Sequence, residues 1–161
     1  MSVHAIPEGY HSITPSIVCK DAARAIEFYK EVFRAKELSR MTGPGGTIGH
    51  AELQIGDSRL MLSDEFPGLA NAPGATPHTC SALHVYTENV DALFDRAIQA
   101  GCKVESPLQN QFWGDRFAKV RDPFGHAWGL AQRIEDVAPE EMERRASAWM
   151  AQMSKAAGAK G

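Results

Sequence analysis

Three side chains able to handle protons or metal ions sit in short strand-like runs: His50 and Glu52 in GHAELQI, and His84 in SALHVYT. Side chains two positions apart on an extended strand project from the same face, so His50, Glu52 and Gln54 share one face. The same alternation groups His84 with Ala82 and Tyr86 and turns Leu83 and Val85 the other way. Two imidazoles and a carboxylate, if they converged, would make the facial arrangement that holds iron(II), or a zinc site with an open position. Without a metal, His50 or His84 beside Glu52 would be a proton carrier. Against both stands the commoner situation, in which an isolated strand histidine is a hydrogen-bonded polar group and nothing more.

A second kind of chemistry is recognition. Trp113 and Arg116 flank Gly114 and Asp115, and an aromatic plate beside a planar cation can stack on and pair with an anionic or aromatic ligand. The alternative is an Arg116 bond to Asp115 or to the main chain that fixes the loop. His126 follows a turn glycine, and Trp128 turns toward a helix by strand alternation, so both read as structural. There is no GxSxG elbow, and Cys19, Cys80 and Cys102 carry no signature of an activated thiolate. GPGG at 43–46 joins two strands instead of opening a helix, which removes it as a dinucleotide-binding loop.

The elements that must hold these residues follow from period and punctuation. A β-branched run at 12–20 leads to Asp21, a helix-capping residue, and Ala22, Ala25, Ile26, Tyr29 and Phe33 then recur at helical intervals. Strands are expected at 35–42, 48–55 and 58–64. The stretch 66–79, rich in proline and glycine, suits a connector. The pattern then repeats: a strand at 80–87, Asn89 as cap, a helix carrying Val90, Leu93, Phe94 and Ala97, Gly101 as its stop, and strands at 103–108, 115–121 and 127–133. The sequence therefore predicts an α+β fold of two βαβββ modules, 12–65 and 80–134, forming curved mixed sheets around a cleft. An arm at 1–11 precedes them. Each module leaves one sheet face that only its counterpart or a ligand can cover. Beyond Pro139, the spacing of Met142, Ala146, Trp149, Met150 and Met153 predicts a C-terminal helix at 135–155 that serves packing or a dimer contact, followed by a disordered tail at 156–161.

Composition narrows the classes. The 161 residues are 43% hydrophobic and 23% charged, and seventeen basic against twenty acidic residues leave a formal charge of -3. One ordinary globular domain is expected, and no basic cluster interleaved with aromatics offers itself to nucleic acid. No apolar run approaches the roughly 20 residues needed to span a bilayer. Three scattered cysteines without CxxC spacing point to reduced thiols and a cytoplasmic protein.

Three segments, KDAARAIEFYKEVF, GHAELQIGDSRLMLSDE and FWGDRFAKVRDPFGHAWGLA, together resemble the vicinal-oxygen-chelate superfamily, which includes glyoxalases, bleomycin-resistance proteins and extradiol dioxygenases, and in particular its PhnB-like branch. The resemblance implies paired modules, commonly a homodimer, and a divalent metal held by His or Gln and Glu from the first and last strand of each module. In this chain those four positions fall on Thr14, Met61, Ala82 and Gly129. Alanine and glycine side chains supply no lone pair, threonine is a weak neutral donor, and a thioether suits soft ions. The expectation is a small-molecule-binding protein with a metal-free cleft and no cofactor, holding an aromatic or amphipathic organic ligand through Met61, Tyr86, Trp113 and Arg116. The competing expectation is a metal-dependent lyase, isomerase or dioxygenase using His50, Glu52 and His84 as a relocated site. Metal-free acid/base catalysis by the same residues ranks third.

Overall fold

The computed structural model describes residues 7–66, 70–74 and 81–158, with backbone alone for Met150 and 152–158. Module one runs β1 (Ser16–Cys19), α1 (Ala22–Phe33), β2 (Lys36–Thr42), β3 (Ile48–Ile55) and β4 (Ser58–Asp64). Module two repeats it as β5 (Leu83–Tyr86), α2 (Val90–Gln99), β6 (Lys103–Asn110), β7 (Asp115–Arg121) and β8 (Ala127–Arg133). Each module forms its own four-stranded mixed sheet, ordered β1-β4-β3-β2 and β5-β8-β7-β6, with the first strand parallel to the last. The α+β architecture of two βαβββ modules is therefore as expected.

The two helices start in the same way. Asp21 accepts a hydrogen bond from the Arg24 N–H and Asn89 from the Ala92 N–H, each at 3.0 Å, which satisfies one of the free donors of a first helical turn. The expected apolar stripes are buried, Ala22, Ala25, Ile26, Tyr29 and Phe33 on α1 and Val90, Leu93 and Ala97 on α2, except that Phe94 of α2 is only partly buried against the core. They cover one face of each sheet, where Leu53, Leu62, Val120, Trp128 and Leu130 complete a single core spanning both modules. Fully burying a side chain of this size contributes roughly 1.5–3 kcal/mol.

The modules are joined on that helix-covered side. Asp122, 4% exposed, accepts Tyr29 Oη at 2.8 Å and Trp128 Nε1 at 2.9 Å on one oxygen, and the Phe124 and His126 N–H groups, both at 2.9 Å, on the other. His126 donates through Nε2 to the Val18 carbonyl at 3.0 Å, tying the β7–β8 turn to β1. His126 and Trp128 thus have the structural roles expected of them.

The C-terminal helix α3 (Pro139–Gly158) runs three residues past 155 and into the segment expected to be a disordered tail; 159–161 lie outside the described residues. Arg145 docks it, bonding Glu135 at 2.8 Å and the Phe112 carbonyl at 3.2 Å, and the Trp149 ring rests 5.6 Å from Phe112. The side chains of Met150 and Met153, Cys80 and most of the 66–79 connector also fall outside the described residues.

Candidate functional site

Strand register identifies equivalent positions without reference to any other protein. In module one Ser16 pairs with Met61, which pairs with Glu52; in module two His84 pairs with Gly129, which pairs with Lys119. Met61 and Gly129 are thus counterparts at the centre of the two uncovered sheet faces. Thr14 and Ala82 lie two residues before Ser16 and His84 on the same alternation.

On module one's uncovered face, Glu52 lies between two partners. Tyr10, from the chain preceding β1, donates its hydroxyl to one carboxylate oxygen, and His50 Nε2 stands 3.2 Å from the other. The bond from Tyr10, and then that from His50, holds the Glu52 carboxyl below the usual carboxylate range, while the Tyr10 phenol is raised by the same bond. Thr14 and Met61 line a shallow hollow with Glu52 and Tyr10.

Module two's uncovered face is aromatic. Gly129 is what admits His84: a Cβ there would meet His84 Nδ1 at 2.9 Å and Phe117 Cε2 at 3.0 Å. The imidazole lies in that space, stacked on Phe117 with ring centroids 5.6 Å apart and planes 16° apart, and 4.9 Å from Tyr86. Trp113 meets Phe117 edge-on at 5.9 Å. Beneath the two outer rings is Asp115, 3% exposed, whose single oxygen Oδ2 accepts both Tyr86 Oη at 2.9 Å and Trp113 Nε1 at 3.0 Å. Its other oxygen, Oδ1, is buried without a partner. The bond to Asp115 raises the Tyr86 phenol. Gly114, at φ +94, allows the turn that presents Trp113, since a Cβ there would lie 2.4 Å from the Glu135 carbonyl oxygen.

Arg116 does not join Trp113. It points to the helix side and grips Asp91 of α2 through Nε at 2.9 Å and Nη2 at 2.6 Å, with Nη1 on Asn110 at 3.2 Å. Asp91, at the start of α2, was not among the partners considered from sequence, and the pairing requires the α2–β7 packing that alternation alone does not supply. Nor do His50, Glu52 and His84 converge: the first two pair with each other on module one, while His84 is stacked on module two's aromatic face. Among the described residues, no three His, Cys, Asp or Glu side chains are grouped to hold a metal ion.

A cleft of 890 Å³ opens between the β3–β4 hairpin and β5, with His84 and Tyr86 in its wall and Thr14 and Ala82 along it. Phe33 and Trp128 are also among its lining residues. Sequence reasoning missed Phe117, Asp115 and Tyr10. For the first two a signal existed: 113, 115 and 117 alternate onto one face once Trp113 is singled out. For Tyr10 there was none.

The profile of the Glyoxalase/Bleomycin resistance protein/Dioxygenase superfamily matches residues 9–130. The Mycobacterium tuberculosis protein Rv0887c is 40% identical over 136 residues, covering 82% of this chain and 80% of that protein. Among solved structures, TioX from a Micromonospora species is 32% identical with a TM-score of 0.61, over 77% of this chain and 99% of TioX. TnmS3, an antibiotic binding protein from a Streptomyces species, is 29% identical with a TM-score of 0.58, over 81% of this chain and 99% of TnmS3. With this coverage by the profile and this identity to a relative matched along most of its length, the chain is a member of the glyoxalase, bleomycin-resistance and dioxygenase superfamily.

Proposed function

We propose that this protein binds a small aromatic or amphipathic organic molecule against His84 and Tyr86, the two residues that the aromatic face of module two shares with the lining of the cleft, without a resident metal ion. The observation that carries this reading is the aromatic face itself, in which Tyr86 and Trp113 are braced by one buried carboxylate and Phe117 contacts both His84 and Trp113. Rings so arranged offer a planar ligand contact area at low entropic cost, since few torsions remain to be frozen. The likeness to TnmS3, an antibiotic binding protein, supports the same class of activity. Donor chemistry supports the absence of a metal: Thr14, Met61, Ala82 and Gly129 offer one hydroxyl and one thioether between them, a set that does not fit a divalent ion. The same reading has two copies of the chain associating, so that a second copy covers part of the uncovered sheet faces, and it places the protein in a reducing cytoplasm. Cys19 and Cys102 are free, buried thiols, both pushed up to about 12, chiefly by burial, which makes them poor nucleophiles.

A fluorescence titration with the neutral aromatic N-phenyl-1-naphthylamine tests the reading. Saturable binding is expected, weakened about tenfold or more in Trp113→Ala with the melting temperature of the free protein nearly unchanged. Absence of binding by both this probe and its sulfonated analogue 8-anilinonaphthalene-1-sulfonate would end the proposal, and a large loss of stability in Trp113→Ala would place that ring in the core. Elemental analysis of protein purified without a metal-chelating tag addresses the metal: a stoichiometric ion, or a metal-induced melting shift that disappears in His84→Ala, would favour the metalloenzyme instead.

A further inference from the structure

The charge around the cleft differs from that of the chain as a whole. The chain carries a formal charge of -3, yet the cleft is lined by Arg34, Lys36, Arg59 and Arg96 against one carboxylate, Asp57. These four come from separate places: the end of α1, the start of β2, β4 and α2. His11 and His84 also line the cleft.

Acidic partners are common among the arginines away from the cleft, Arg24 excepted. Six other arginines, Arg40, Arg116, Arg121, Arg133, Arg144 and Arg145, each hold a carboxylate. Among the described residues, none of the four cations at the cleft does. Arg59 Nε donates to the Gly9 carbonyl at 3.3 Å with its guanidinium 5.4 Å from the centre of the Tyr10 ring, and Arg96 Nε donates to the Val32 carbonyl at 3.1 Å. These partners are neutral, and Glu52, which is bonded to Tyr10, acts on Arg59 without forming an ion pair with it, so most of the positive charge at the cleft is left without a direct acidic partner. The cleft also has apolar surface in contact with solvent: Ile13 is 84% exposed and Tyr86 61%. A concave site with one sign of charge and low-dielectric walls concentrates ligands of the opposite sign.

We infer that the cleft takes an organic anion: an aromatic body carrying a sulfonate, carboxylate or phosphate, its ring against Tyr86 and Ile13 and its charge toward Arg34, Lys36 and Arg59. This rests on the small-molecule-binding reading above and adds the ligand's charge to it. Guanidinium and ammonium donors give such a group charge-assisted hydrogen bonds, stronger than those available from the neutral lining.

The test compares two fluorescent probes of one scaffold, 8-anilinonaphthalene-1-sulfonate and its uncharged parent N-phenyl-1-naphthylamine, against the full chain. The sulfonate is expected to bind one to a chain at least about tenfold more tightly than the parent, and to weaken as salt is raised. In Arg34→Gln/Lys36→Gln/Arg59→Gln the sulfonate should lose about tenfold while the parent changes less than about twofold. Lys36→Gln alone, at an exposed side chain, should move the sulfonate in the same direction by a smaller factor, and unchanged melting temperatures would show that both variants fold. Equal affinity for the two probes, or equal losses of both in the triple variant, would overturn the inference while leaving the binding reading intact. Failure of both probes to bind would overturn both.

Discussion

Two aspartates at opposite ends of β7 have the same burial and different surroundings. Asp122, just beyond the strand, receives four donors on two oxygens; Asp115, its first residue, receives two donors on one oxygen and leaves the other bare. Each bonds a tyrosine and a tryptophan. The difference lies in where the rings are. Tyr29 and Trp128 are fully enclosed in the core shared by the modules, whereas Tyr86 is largely exposed and Trp113 half-buried on the uncovered face. A fully satisfied carboxylate fixes a structure, because removing it strands several buried donors. One with an unused oxygen beneath exposed aromatics holds those rings in place while half of its own bonding capacity stays free. A third pair, Tyr10 with Glu52, repeats the phenol–carboxylate bond near the surface, and the three together form a graded series from core to solvent.

The largest expected effect is at the core. Asp122→Ala should destabilise the protein by about 3–5 kcal/mol in urea unfolding, since it orphans Tyr29, Trp128 and two backbone N–H groups at once. A loss under about 1 kcal/mol would remove the distinction between the two aspartates. In the wild type, burial first and Asp122 second hold the Tyr29 phenol well above its ordinary range. A phenol with a raised folded-state pKa contributes stability that is complete below the unfolded value and lost as pH climbs above it, so alkaline unfolding should begin beyond about 10.

Asp115→Asn should cost less, about 1 kcal/mol, because an amide oxygen still accepts from Tyr86 or Trp113. Its signature is spectroscopic. The Tyr86 phenol, raised chiefly by its bond to the Asp115 carboxylate, should titrate closer to the ordinary tyrosine value, as read by ultraviolet difference absorbance. An unshifted titration would separate Tyr86 from Asp115 and undo the comparison from the other end.

Tyr10→Phe should be the mildest. Glu52 has a lowered pKa in the folded protein, so its contribution is present above the ordinary carboxylate value and is lost as pH falls below about 4.3. Removing the Tyr10 bond should flatten that acid limb of the stability profile and leave neutral pH almost unaffected. A pH profile identical to the wild type would show that Tyr10 does not set the Glu52 carboxyl.

The sequence by itself determined the elements and the poverty of donors. Asp21 and Asn89 as caps, the apolar stripes of α1 and α2 and the repeated βαβββ order are local properties, fixed by hydrogen-bonding needs and by periods of 3.6 and 2. That Thr14, Met61, Ala82 and Gly129 cannot supply four metal ligands is a matter of residue type alone. Alternation also assigned His84 and Tyr86 to one face and sent Trp128 to the other. It could not say what each face would meet, because a period fixes direction and not neighbours. That Arg116 reaches Asp91, that His84 fills the space above Gly129, and that Arg34, Lys36, Arg59 and Arg96 surround one cleft was decided only by tertiary structure, since these contacts join residues tens of positions apart whose distance depends on how helices and sheets pack. The same holds for the two aspartates of β7: in sequence both lie near a Trp, and only packing makes one a structural hub and the other the support of an exposed aromatic face.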